Sequence, residues 1–179
     1  MWKEPAVIIC IYTGIYPDMK FGKGKCLAVL CLCLLPFLLQ AQTIVGKVVA
    51  VPDGDDIRIL SSREEVRIRL AEIDCPERGQ PFFRNAKRFT SSLAFGKTVR
   101  VQVREQDRFG RKVGRVTLPD GRSLNHELVK AGYAWWFKRY SDDLSLSMLE
   151  MAARRKKAGL WADPHPEPPW EYRARKRKG

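Results

Sequence analysis

The stretch Val66-Arg67-Ile68-Arg69-Leu70-Ala71-Glu72-Ile73-Asp74-Cys75-Pro76-Glu77 alternates apolar and charged residues as far as Leu70 and then changes character. Val66, Ile68 and Leu70 share one face of an extended strand, with Arg67 and Arg69 on the other. Beyond Leu70 come three acids around a proline, so a strand runs into a stiffened, carboxylate-bearing turn. Upstream, apolar residues recur through Ile44, Val45, Val48 and Val49, and again at Ile57 and Ile59. Pro52-Asp53-Gly54 between them is turn chemistry, because Pro presets φ and Gly tolerates the left-handed region. A three-stranded meander is the simplest account.

Downstream, Phe82, Ala86, Phe89 and Leu93 draw one stripe along a helix that Pro81 can open and Gly96 can close. Val99, Val101 and Val103 predict a fourth strand, and Val113, Val116 and Leu118 a fifth, followed by a tight turn at Pro119-Asp120-Gly121. Asn125 is placed to cap a short helix through Ala131, stopped by Gly132. A last helix is expected from about Ser141, with Asp142 and Asp143 at its positive end and Arg154 to Lys157 at its negative end. Five short strands interleaved with three helices make an α+β domain, expected over residues 42–162. Residues 163–179 read differently: Pro164, Pro166, Pro168 and Pro169 precede Arg173-Ala174-Arg175-Lys176-Arg177-Lys178, which predicts an extended or disordered basic arm.

The first 41 residues do not fit the domain pattern. Cys26 to Leu39 is an uncharged apolar run preceded by Lys20, Lys23 and Lys25, the layout of a secretory signal peptide with cleavage near Ala41. Met19 would itself begin a signal of ordinary length, so it is the expected true start. The product would be secreted or periplasmic, with no stable membrane insertion once the signal is removed, because the run is shorter than a spanning helix requires. Of the five cysteines only Cys75 lies beyond the leader, which excludes an intramolecular disulfide framework for the domain. With only His126 and His165, a histidine-built zinc site is not expected. The whole chain carries a formal charge of +13, which favours polyanionic partners without separating a catalyst from a passive binder or a basic surface adhesin.

Charge is concentrated in three segments. Asp55 falls on the same strand face as Ile57 and Ile59, so its carboxylate is expected to point inward, where it needs a partner. Asp74 and Glu77 flank Pro76, and convergence of these acids would suit Ca²⁺ or Mg²⁺, which take hard oxygen ligands. The same spacing is compatible with aspartates that only serve turns. Arg69 and Arg111 can fork onto phosphate oxygens and neutralise charge that develops as a phosphodiester becomes five-coordinate. Either could equally be an ordinary salt-bridged arginine.

Taken together, Asp53-Gly54-Asp55, the Arg67–Glu77 string, Asp107-Arg108-Phe109-Gly110-Arg111 and Asn125-His126-Glu127-Leu128-Val129-Lys130-Ala131-Gly132-Tyr133-Ala134 resemble the thermonuclease, or staphylococcal nuclease-like, family. The resemblance covers Val45 to about Trp161. It implies an OB-type five-stranded β-barrel with three α-helices and a monomeric, Ca²⁺-dependent nuclease acting on DNA and RNA to leave 3′-phosphate and 5′-hydroxyl ends. By motif, Asp55 and Asp74 would hold the metal with the main-chain carbonyl of Cys75. Glu77 would position the attacking water, and Arg69 and Arg111 would clamp the phosphate. Arg108, Phe109 and Tyr140 would contact substrate, Tyr140 by stacking on a base. The chain departs from the family at Asp56, commonly Thr, which is expected to pair with Arg58 or to alter metal affinity. It departs also at Cys75, often Thr or Ala, and at Phe109, often Tyr. A related non-catalytic binding module would typically lack these five charges. The basic tail is expected to add affinity and salt dependence while leaving turnover intact.

Overall fold

Alternation of apolar residues closes a barrel. Strands β1 (Thr43–Ala50), β2 (Asp56–Ser61) and β3 (Glu64–Leu70) form the antiparallel meander, and β5 (Thr98–Gln106) and β6 (Lys112–Thr117) complete the order β1-β2-β3-β6-β5. β1 pairs antiparallel with β5 to close the ring, while β3 and β6 run parallel, with Ile68 opposite Lys112 and Arg69 opposite Val113. The computed structural model describes residues 42–178; the secretory-signal expectation falls on residues 1–41, outside the described residues. No helix among the described residues is long and apolar enough to cross a membrane.

The inward faces supply Val48, Ile57, Ile59, Ile68, Leu70, Val99, Val101 and Val116, each essentially without solvent exposure. Burial of each such side chain is worth roughly 1.5–3 kcal/mol relative to exposure, so the barrel interior is the main source of stability. A short pair, β4 (Ile73–Asp74) with β7 (Trp135–Trp136), sits beside the barrel and fixes the turn carrying Asp74.

Helix α1 (Phe83–Ala94) buries Ala86, Thr90 and Ala94, with Phe89 and Leu93 packed alongside. Phe82 is its N-cap, in the left-handed region at φ 64°. Helix α2 (Leu124–Lys130) is capped by Ser123 and not by Asn125, which lies inside the helix. Asn125 is fully buried, donating from Nδ2 to the Ala71 carbonyl (2.8 Å) and accepting at Oδ1 from the Val116 amide (3.0 Å). Helix α3 (Leu144–Arg155) starts after Asp143, whose carboxylate caps the Ser145 amide, three residues later than the charge pattern suggests.

The C-terminal segment corrects the expectation of an extended arm and brings the count of α-helices among the described residues to four. Helix α4 (Pro169–Lys176) has Pro169 in its first turn, where the missing N–H costs nothing. It is docked: Trp170 stacks on Phe137 with ring centroids 5.0 Å apart, and the Tyr172 hydroxyl donates to the Arg78 carbonyl at 3.2 Å. Trp135 meets Trp161 edge-on at 4.4 Å and Trp170 at 5.7 Å, forming a second, aromatic core.

Candidate active site

The end of the β2–β3 hairpin and the start of β6 bring the predicted residues to one place. Asp55 immediately precedes β2, and its carbonyl accepts from the Leu70 amide, anchoring it beside Arg69 at the end of β3. The Asp55 carboxylate is 3% exposed; it accepts from the Cys75 amide at 2.5 Å and forms an ion pair with Arg69. Asp74, with no exposed surface, pairs with the Arg69 guanidinium at 2.6 Å. Arg69 thus bridges two buried acids that lie 19 residues apart in the chain, and an unpaired carboxylate at either place would be costly.

Parallel pairing of β3 with β6 sets Arg111 next to this cluster. Its loop is shaped by Asp107, whose Oδ1 accepts from the Phe109 and Arg111 amides, both at 2.9 Å, while Oδ2 pairs with Arg111 Nε at 2.8 Å. Gly110 takes φ 77°, the left-handed region that closes the turn. Burial works to raise the Asp107 carboxyl, but hydrogen bonds from the Arg111 side chain and loop amides prevail and hold it below the ordinary range. The second tether on Arg111 is Asp56, at 3.0 Å. This corrects the expected Asp56–Arg58 pairing; Arg58 pairs with Glu65 instead. Burial lifts the Asp56 carboxyl above its usual range despite the bond to Arg111, and burial likewise lifts Asp53 against the pull of Arg69.

Glu77 reaches the same cleft from the turn after β4. Its amide donates to Gln80 Oε1 at 2.8 Å, and Gln80 in turn donates to the Glu167 carbonyl at 2.8 Å, so the turn is pinned to the C-terminal segment. Asp55, Arg69, Cys75, Glu77 and Arg111 line one cleft of about 360 Å³. Arg108 and Phe109 also line it, the Arg108 guanidinium lying 4.8 Å from the centroid of the exposed Phe109 ring. An adjoining cleft shares Arg69 and Arg111 and contains Phe137 and the exposed Tyr140, whose rings meet edge-on at 4.8 Å. Every predicted site residue except Asp74 lines one of these two clefts; Asp74 is fully buried and meets the first cleft through its ion pairs with Arg69 and Arg173.

Two arginines of the C-terminal segment, Arg173 and Arg177, line the cleft unexpectedly. Arg173, on α4, pairs with Asp74 Oδ2 at 2.8 Å and with Glu77 Oε1 at 2.6 Å. Asp56 as a tether for Arg111 and Asn125 as a brace under Ala71 were also missed. Pro169 followed by Glu171 in the first turn and Arg173, Arg175 and Lys176 in the last is a helix signal that the proline count obscured.

The donor chemistry fits a hard divalent cation, since Asp55 and Asp74 offer buried carboxylate oxygens. The Cys75 thiol does not compete: burial pushes it well up, keeping it protonated, and it packs so closely on Gly54 that a Cβ there would meet its sulfur at 2.8 Å. Among the described residues no three His, Cys, Asp or Glu side chains are gathered as a ready cage; the acids are held by Arg69 and Arg173.

Residues 67–163 match the family model described as staphylococcal nuclease homologue. A protein of Escherichia coli O157:H7 described as an uncharacterized endonuclease is 47% identical over 131 residues, covering 73% of this chain and 86% of the relative. A Shigella flexneri protein described as micrococcal nuclease is 38% identical over 138 residues, covering 72% and 79%. A Haemophilus influenzae protein, also described as an uncharacterized endonuclease, is 37% identical over 128 residues, covering 71% of each chain. The chain belongs to the staphylococcal nuclease homologue family and is a phosphodiester-hydrolysing nuclease.

Proposed function

We propose that the protein is an exported, Ca²⁺-dependent, sugar-nonspecific nuclease that hydrolyses DNA and RNA and leaves 3′-phosphate and 5′-hydroxyl ends. The observation that carries this reading is the convergence of Asp55, Glu77, Arg69 and Arg111 on one cleft, with the buried Asp74 paired to Arg69 beneath it. The basic residues and apolar run ahead of Ala41 support export.

Asp55 and Asp74, with the Cys75 carbonyl, are the groups to hold the cation. Ca²⁺ bound there supplies positive charge against a phosphate oxygen and the charge that builds on it. Arg69 and Arg111 grip the scissile phosphate bidentately, Arg111 being pre-oriented by Asp56 and Asp107 so that little ordering remains to be done on binding. Glu77, on a turn fixed by Gln80, orients the attacking water. Tyr140, exposed beside Phe137, offers an aromatic face to a base adjoining that phosphate, and such stacking tolerates any base. Contacts to phosphate and to ring faces ignore the 2′-position, which accounts for action on both sugars.

The test is digestion of plasmid DNA and of RNA with and without Ca²⁺. Cleavage of both should stop on chelation and resume on adding Ca²⁺. Arg69→Ala and Glu77→Gln should each slow cleavage by roughly a hundredfold or more. Chelator-resistant cutting, or near-wild-type rates in either variant, would refute the assigned roles.

A further inference from the structure

Arg173 stands where the metal and the substrate both have to act. Asp74 Oδ1 accepts from Arg69 Nη2 at 2.6 Å and from Arg173 Nη1 at 3.2 Å, and Oδ2 from Arg173 Nη2 at 2.8 Å. Both oxygens are therefore committed to guanidiniums, and the same Arg173 reaches Glu77 at 2.6 Å. A divalent cation that takes Asp74 competes with Arg173 for both oxygens, and its repulsion of the guanidinium weakens the Arg173 bonds, the more exposed of the two arginine contacts.

Helix α4 does not depend on that contact to stay in place. Tyr172 is buried, Trp170 stacks on Phe137, and the Gln80 side chain holds the Glu167 carbonyl. The Arg173 side chain, by contrast, is 37% exposed and long enough to swing while its backbone stays docked. Once off Asp74 it remains in the cleft with Arg69, Arg108 and Arg111, and Arg177 lies at the same wall. A freed guanidinium in that position has one natural partner, a phosphate oxygen of the bound strand.

We propose that Arg173 is a third phosphate-binding arginine of this nuclease, stored on Asp74 and Glu77 while the cation is absent and transferred to the substrate backbone when the cation takes Asp74. The proposal rests on the calcium-nuclease reading above. It makes the C-terminal helix part of the site, against the expectation that the basic tail adds only nonspecific affinity. It also makes metal and nucleic acid bind cooperatively: the cation releases the arginine that the strand requires, and the strand holds that arginine away from the cation's carboxylates.

Calorimetric titration of the purified protein with Ca²⁺ alone, and binding of a short phosphorothioate DNA strand in saturating Ca²⁺, test this on wild type, Arg173→Gln, Arg173→Lys and Asp74→Asn. Loss of one charge-assisted contact is about a tenfold effect. Arg173→Gln should bind Ca²⁺ about tenfold more tightly and the DNA strand about tenfold more weakly, with Arg173→Lys between the two proteins on both scales. A purely architectural role would weaken both together. Unchanged or weaker Ca²⁺ binding in Arg173→Gln overturns the proposal, as does unchanged DNA binding. If wild type binds Ca²⁺ and Asp74→Asn does not, such a result sinks only the role of Arg173. If Asp74→Asn binds Ca²⁺ as wild type does, the metal assignment falls with it.

Discussion

Replacing Asn125 separates what holds the site in place from what performs its chemistry. Its amide is fully buried and spans two elements, donating to the Ala71 carbonyl and accepting from the Val116 amide. Asn125→Ala leaves one buried acceptor and one buried donor without partners. Each orphan costs about 1–3 kcal/mol, so the variant should lose roughly 2–6 kcal/mol of a total on the order of 5–15. Asn125→Asp keeps the acceptor for Val116 but turns a second acceptor toward Ala71, and it buries a charge. Its carboxyl must therefore titrate above its unfolded value near 3.9. By linkage this variant approaches wild type at low pH, where the acid O–H can donate to Ala71, and falls away as the pH rises through the folded-state value. Urea unfolding of the three proteins between acidic and neutral pH measures this directly. A loss below about 1 kcal/mol in Asn125→Ala, or a pH-independent difference between Asn125→Asp and wild type, would refute the brace.

Asp143 caps α3 through the Ser145 amide and pairs with Arg115 at 2.5 Å; the hydrogen bond from the Ser145 hydroxyl leads the effects that hold its carboxyl below the ordinary value of 3.8. Asp143→Ala should cost about 1–2 kcal/mol at pH 7. That contribution is fully present above pH 3.8 and is lost as the pH falls through the depressed folded value, so wild type and variant should converge in acid unfolding curves. Gly132→Ala meets both a positive φ of 73° and a clash with the Ala158 carbonyl oxygen, and should lower stability by more than about 2 kcal/mol in thermal unfolding.

The barrel was readable because strand alternation is local: Ile57, Ile59, Ile68 and Leu70 announce an inner face without reference to anything distant. Asp55 is buried as that period predicts, but so is its neighbour Asp56, so alternation alone does not account for it. Asn125 was misread for the opposite reason. Its type suits an N-cap, and only the fold brings Ala71, 54 residues away, beside it. Asp56 was matched with a charge two residues on, whereas parallel pairing of β3 and β6 supplies Arg111 from 55 residues away. The C-terminal helix was missed because four prolines were weighed by number; Pro169 sits at the one helical position that welcomes it. No local signal foretells that Arg173 meets Asp74 across 99 residues.

Three of the four tryptophans among the described residues, Trp135, Trp161 and Trp170, form the aromatic core where the C-terminal helices gather, while Trp136 packs against the main core. Arg154 stacks over Trp161 at 4.0 Å from the ring centroid, so these indoles occupy a distinctive electrostatic setting. Intrinsic fluorescence therefore monitors attachment of the C-terminal segment, whereas far-ultraviolet circular dichroism registers the strands. Recorded side by side during denaturation, the two optical signals tell whether that segment peels away before the β-structure melts or shares a single cooperative transition with it.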